Sequence, residues 1–204
     1  PPPPGVDAQQ QAVDRMATAF TRLSGMLLLI GLTIGAVRPW WQPPGGRWDL
    51  VWAHAMLPGF FLTMAAGVSY HVLPRWTGQP WRSRSAIRWH YRLVLLSLPL
   101  MLLALALDAG RLFLVAGPLQ AAAIALFLVI VLPLAWQLDH MARVGVVAAM
   151  LFLALGVGMG TAFAIEPALG PRLRQAHAVA NVLGCGGLLI SAFGYRFVPA
   201  FAGR

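Results

Sequence analysis

Residues 53–74 read AHAMLPGFFLTMAAGVSYHVLP, twenty-two positions without an acid, a lysine or an arginine. About 20 predominantly apolar residues are what an α-helix needs to cross the hydrocarbon core of a bilayer. The same ruler, moved outward in both directions, finds six such stretches, near 18–37, 50–73, 89–107, 112–136, 144–165 and 173–200. The expected fold is therefore all-α and integral to the membrane: a six-transmembrane-helix bundle forming one domain over 18–204. A Pro-rich N-terminal segment over 1–17, PPPPGVDAQQQAVDRMA, precedes it. That segment has neither the basic start nor the apolar run of a secretory signal, and reads as a disordered start leading into a polar helical turn.

Composition supports this reading. Of 204 residues 59% are hydrophobic and 10% charged, far from ordinary soluble usage. The lone cysteine, Cys185, rules out a disulfide-stapled domain and reads as a small packing residue. All fifteen cationic side chains are Arg, against six acids. In a membrane chain this excess speaks for topology and anionic headgroups rather than for nucleic acid, which is not an expected partner.

Six spans place the N-terminus, the second and fourth loops and the C-terminus on one side. Ten Arg fall there and five on the other, so both termini are expected in the cytoplasm, and the bacterial inner membrane is the expected location. Trp40, Trp41, Trp48 and Trp52 would then form the outer aromatic belt, and Trp76, Trp81, Trp89 and Trp136 the inner one. The second loop, near 74–89, is rich in Arg and serves as a cytoplasmic anchor, with contact to a partner or a phosphate as the alternative.

An internal repeat carries the functional reading. Residues 176–199, AHAVANVLGCGGLLISAFGYRFVP, weakly repeat the opening stretch. The histidines lie 123 positions apart; after a two-residue insertion, Gly59 and Gly184, Tyr70 and Tyr195, and Pro74 and Pro199 pair at an offset of 125. Spans two and six run in the same direction, so His54 and His177 are expected at matching depth near the outer edge of the hydrocarbon. Two imidazoles so placed can face each other across a flat cofactor, and haem iron takes imidazole axially.

Small residues around them, Gly59, Ala65, Ala66 and Gly67 in span two and Gly184, Gly186 and Gly187 in span six, leave room for a ring or a neighbouring helix. Asn181, one turn from His177, is a candidate hydrogen-bond donor to a ligand. Arg47, Arg172 and Arg174 are the candidate partners of haem propionates. Gly156, Gly158 and Gly160 in span five are read as packing residues. His71, His90 and His140 are placed at the cytoplasmic boundary, where a second haem or metal site is the alternative to plain interfacial histidines. His71 lies about 25 Å along the helix from His54. The repeat speaks against a second haem there, because the position aligned with His71 is Arg196, which cannot ligate iron.

The stretch HAMLPGFFLTMAAGVSYHVLPRWTG, 54–78, resembles the second helix of haem–copper oxidase and nitric oxide reductase catalytic subunits. It is closer still to short oxidase-subunit-I-like proteins and to the NnrS family of haem- and copper-containing membrane proteins linked to nitric oxide stress. The resemblance covers about 25 residues, with 176–187 as a weak echo. It implies that His54 ligates a low-spin haem on the outer side, with His177 as the natural second ligand, and it brings copper into consideration. The chain departs from those enzymes in having five His and no His-His pair, so self-sufficient reduction of oxygen or nitric oxide is not expected.

The expected function is a haem b-binding membrane protein that transfers electrons or binds nitric oxide or another diatomic gas in a respiratory or denitrification-linked system. Membrane lipids, haem, other respiratory subunits and quinone are the expected partners. Two rivals stand beside it. One is a cofactor-free structural subunit of a larger membrane complex. The other is a small repeat transporter, which would be expected to carry buried acids at the midplane; here Asp7, Asp14, Asp49, Asp108, Asp139 and Glu166 all fall in loops or at helix ends.

Overall fold

A computed structural model describes residues 6–41 and 46–201, with side chains over 11–41 and 46–198. Six long helices fold it, and no strand occurs among the described residues. They are α1 (Val6–Val37), α2 (Trp48–Thr77), α3 (Arg84–Ala106), α4 (Gly110–Ala135), α5 (His140–Ile165) and α6 (Pro167–Val198), each long and apolar enough to cross a membrane. The chain is a multi-pass membrane protein, and the six-helix expectation holds.

Local chemistry sets the ends of the helices. Ser83 accepts a hydrogen bond from the Ala86 N–H at the start of α3, and Asp139 accepts one from Ala142 at the start of α5. Gly78, at φ 67°, closes α2 in the left-handed conformation that glycine adopts without a Cβ penalty. The α3–α4 turn passes through Asp108 at φ 47°, whose carboxylate is held by Arg47 at 2.6 Å.

The structure revises the expected boundaries at two places. Helix α1 starts at Val6 and runs unbroken through 17/18, with Val13 and Ala17 buried, because the apolar positions of its polar first turns face the bundle; residues 1–5 lie outside the described residues. The second loop is reduced to the residues between Thr77 and Arg84. Trp81 in that loop is not a belt residue. It is buried, and its indole N–H donates to the Tyr70 carbonyl at 3.0 Å.

Helix α1 packs on α2, α3 on α4, α4 on α5, and α5 on α6. Small residues make the first of these contacts close: a Cβ on Gly67 would stand 3.0 Å from the Ala17 carbonyl and from Thr21 Oγ1. The small face of α2 around Gly59 and Gly67 therefore serves α1, not a macrocycle. The buried core gathers α1 to α4 around Phe20, Tyr70, His90 and Phe127, while Leu29, Val129 and Leu151 point outward, as a lipid-facing surface requires.

Helix α6 lies against α5 and meets α2 chiefly where the π-helical segments Ala55–Leu62 and Ala180–Gly187 face each other. A Cβ on Gly186 would stand 3.6 Å from the Phe61 ring there. Beyond this contact the two helices part around an apolar cavity of about 140 Å³ between Phe60, Met64, Ile190 and Phe193. They close again at the face carrying both termini, where Trp76 packs edge-on against Phe193 and Phe197.

Candidate functional site

The two π segments are the structural form of the repeat. Both are eight residues long, and both of their ends lie 125 positions apart, the offset at which the sequences align. Each follows closely on a histidine, His54 and His177. Single π turns inside α-helices are rare and concentrate at functional sites.

Different residues mark the ladder in the two helices, each four positions after its histidine. Pro58, four residues after His54, has no N–H to give to the His54 carbonyl. The next residue, Gly59, comes so close that a Cβ on it would stand 3.1 Å from that oxygen. In α6, Asn181 lies four residues after His177, and its side-chain amide donates to the His177 carbonyl at 2.8 Å. A side chain inserted into the i to i−4 ladder is a recognised cause of local helix distortion.

The imidazoles of His54 and His177 face each other with ring centres 6.5 Å apart and planes within 20° of parallel. A bond of about 2 Å from a metal to an imidazole nitrogen on each side places the ring centres about 6 Å apart. The ring centres of the pair stand close to that separation. Neither ring spends both nitrogens on the protein. His54 Nδ1 donates to the Leu50 carbonyl at 2.8 Å, and His177 Nδ1 donates to the Gly156 carbonyl at 2.7 Å. With the Nδ1 proton held by a carbonyl, Nε2 keeps its lone pair, the arrangement usual for metal-ligating histidine.

Glycines of α5 make room for His177. A Cβ on Gly160 would come within 3.0 Å of the ring carbon Cε1, and one on Gly156 would collide with the Asn181 amide. These two glycines are therefore more than the plain packing positions that the sequence suggests. Their part in holding His177 has no signature in a span rich in Gly and Ala, and only the repeat, which singles out α6, directs attention to its neighbour. Phe163 completes the wall, edge-on to His177 at 5.5 Å.

The other expected site residues fall differently. The Asn181 amide is spent on the His177 backbone and lies 3.5 Å from the ring Nδ1, so it holds the histidine rather than facing a ligand. Arg47 is taken by Asp108 at 2.6 Å and lies over the Phe113 ring. Arg172 and Arg174 are exposed on the first turns of α6, ahead of His177. The second set does not assemble. His71 is exposed, 3.1 Å from Asp14, which Arg75 also holds at 3.0 Å, and His140 is exposed at the start of α5. His90 is buried inside the bundle. It is 3% exposed, its Nδ1 lies 2.7 Å from the Tyr70 hydroxyl, and its ring is stacked between Phe20 and Phe127. Among the described residues no three His, Cys, Asp or Glu side chains form a group able to hold a metal ion.

That donor set bears on which metal group fits. A bare ion usually asks the protein for three or four ligands, and two are offered here. A haem brings four equatorial nitrogens of its own and asks only for the axial pair. No family model, curated protein or solved structure matches the chain.

Proposed function

We propose that this protein binds one haem b between His54 and His177 and carries electrons within a respiratory or denitrification-linked system of the bacterial inner membrane. One observation carries the reading: two imidazoles on parallel helices, 6.5 Å apart, each with Nδ1 tied to a backbone carbonyl. Haem would supply the one-electron chemistry. The chain's part is to fix both axial nitrogens in place and to surround them with apolar helix.

Electron transfer is favoured over binding of nitric oxide or another diatomic gas because both rings are anchored. A gas-binding haem needs an open or readily vacated axial position, and here the Nδ1 bonds, at 2.8 and 2.7 Å, restrain both ligands equally. Copper is the weaker candidate, given two protein ligands. The denitrification setting rests on the likeness of 54–78 to the oxidase and NnrS helices, and the cytoplasmic position of both termini rests on the Arg count.

The test is an absorbance spectrum of the detergent-purified protein, oxidised and dithionite-reduced, with wild type, His54→Ala and His177→Ala compared. Sharp reduced α and β bands in wild type, absent from both variants, are expected. Loss in only one variant would replace electron transfer by gas binding at a five-coordinate haem. Wild type expressed with ample haem and lacking a Soret band would overturn the haem reading in favour of the structural subunit.

A further inference from the structure

Helix α3 opens, at the face carrying both termini, with Arg84, Arg88 and Arg92, one on each successive turn and all exposed. Ile87, His90 and Val94 turn the other side of the same helix into the bundle. Like charges four residues apart on a helix are neighbours and repel. The positive end of the helix dipole disfavours them further, and no acid stands in the first turn to offset either effect. Among the described residues none of the three arginines has an ion pair.

The acids are engaged elsewhere. Asp14 is held by Arg75 and His71, Asp49 by Arg38, Asp108 by Arg47 and Asp139 by Arg196, while Glu166 accepts from the Ala168 N–H. The charge of the stripe is thus left to an anion from outside the described residues, and depth says of what kind. Eight residues of helix carry Arg92 about 12 Å further along α3 than Arg84, whereas the headgroup layer on one side of a bilayer is only about 5–8 Å thick. A charge held below that layer is costly without a partner. Trp89, 54% exposed with Arg92 over its ring at 4.9 Å, marks the interface beside it. Deeper still, the same face continues in exposed Leu95 and Leu96.

We propose that this stripe binds one anionic phospholipid, its phosphate held between Arg88 and Arg92 and its acyl chains lying along Leu95 and Leu96. A guanidinium offers phosphate two parallel N–H donors, so neighbouring arginines can share one headgroup. The phosphate relieves the repulsion within the stripe and suits the positive end of the helix dipole. A headgroup of net negative charge is favoured over a zwitterionic one because three cations face it with no acid among them. Soluble phosphate would meet the same guanidinium groups but gain nothing from the leucines below them. The stripe lies at the start of α3, on the terminal face, and the histidine pair near the opposite ends of α2 and α6, so the two sites are separate.

The experiment is native mass spectrometry of the detergent-purified full chain, titrated with phosphatidylglycerol or with phosphatidylcholine and read as the affinity for the first lipid bound. Wild type should prefer phosphatidylglycerol, and the double variant Arg88→Gln, Arg92→Gln should lose about fivefold or more of that affinity. Arg15→Gln, Arg22→Gln removes the same charge from exposed α1 positions without an ion pair among the described residues, and should bind as wild type does. Equal affinity of wild type for the two lipids, or an equal loss in the α1 variant, would overturn the proposal. Displacement of the lipid by ammonium phosphate, but not by ammonium acetate of the same ionic strength, would overturn it in favour of a soluble anion. The wild-type comparison needs no variant to fold, and no reading depends on haem.

Discussion

Pro58 and Asn181 each stand four residues beyond a histidine, and each alters the hydrogen bonding of that histidine's own carbonyl, one by lacking an N–H and the other by supplying a side-chain amide. Two unlike residues thus stand at the same distance from a histidine, and each lies inside a π segment of eight residues, Pro58 as its fourth residue and Asn181 as its second. What the two spans share is the presentation of an imidazole, more than a sequence.

Asn181→Leu keeps the volume of the side chain but removes the amide. His177 then loses the restraint on its backbone and one neighbour of its ring. One hydrogen bond is worth about 1 kcal/mol, which is roughly a fivefold change in an equilibrium constant, here in the proposed ligation of haem iron by His177. On the proposed haem reading, the purified variant should retain haem but bind carbon monoxide in the reduced state, and wild type should not. Asn181→Thr, whose hydroxyl can reach the carbonyl four residues back, should restore the wild-type spectrum.

Gly160→Leu tests the wall on the α5 side. Since even a Cβ would come within 3.0 Å of His177 Cε1, a larger side chain must turn the ring away from the Gly156 carbonyl. Haem content per protein should fall at least tenfold while helical circular dichroism is unchanged. Gly158→Leu, at a position with open space around it, is the matched control and should keep its haem.

The six spans are legible in the sequence because a run of apolar residues long enough for a bilayer has few other uses, and parallel directions for the second and sixth follow from counting. The matched depth of His54 and His177 is therefore readable without a structure. What escapes reading depends on contacts between helices. Gly156 and Gly160 look like any glycines in an apolar span. The place of His90 in the sequence, near the start of α3, suggests an interfacial residue, and only the positions of Tyr70, Phe20 and Phe127 show it to be buried. Trp81 looks like a belt residue on the same ground, while a hydrogen bond to the Tyr70 carbonyl draws it inward.

Tyr70→Phe removes the partner of His90 Nδ1 without opening space. A buried polar group left unpaired costs about 1–3 kcal/mol, so the apparent Tm of the detergent-purified variant should drop by several degrees. His90→Phe restores an all-apolar stack between Phe20 and Phe127, and the double variant Tyr70→Phe, His90→Phe should recover most of the loss. A double variant less stable than the sum of the singles would show that the pair does more than satisfy each other.

Arg47 and the pair Arg172 and Arg174 should separate in their effects on the haem. Arg47 is neutralised by Asp108, and both are partly exposed, so Arg47→Gln breaks a surface ion pair worth about 0–1 kcal/mol and should shift stability slightly and the midpoint potential little. Arg172 and Arg174 have no ion pair among the described residues. Removing both positive charges by Arg172→Gln, Arg174→Gln disfavours the added electron, so the midpoint potential should move negative. The scale is on the order of tens of millivolts for unit charges acting at about 10–15 Å through an effective dielectric near 20. A redox titration of the three proteins at low and high salt measures it. An Arg47 effect as large as that of the pair would assign the propionates to the α2 side instead.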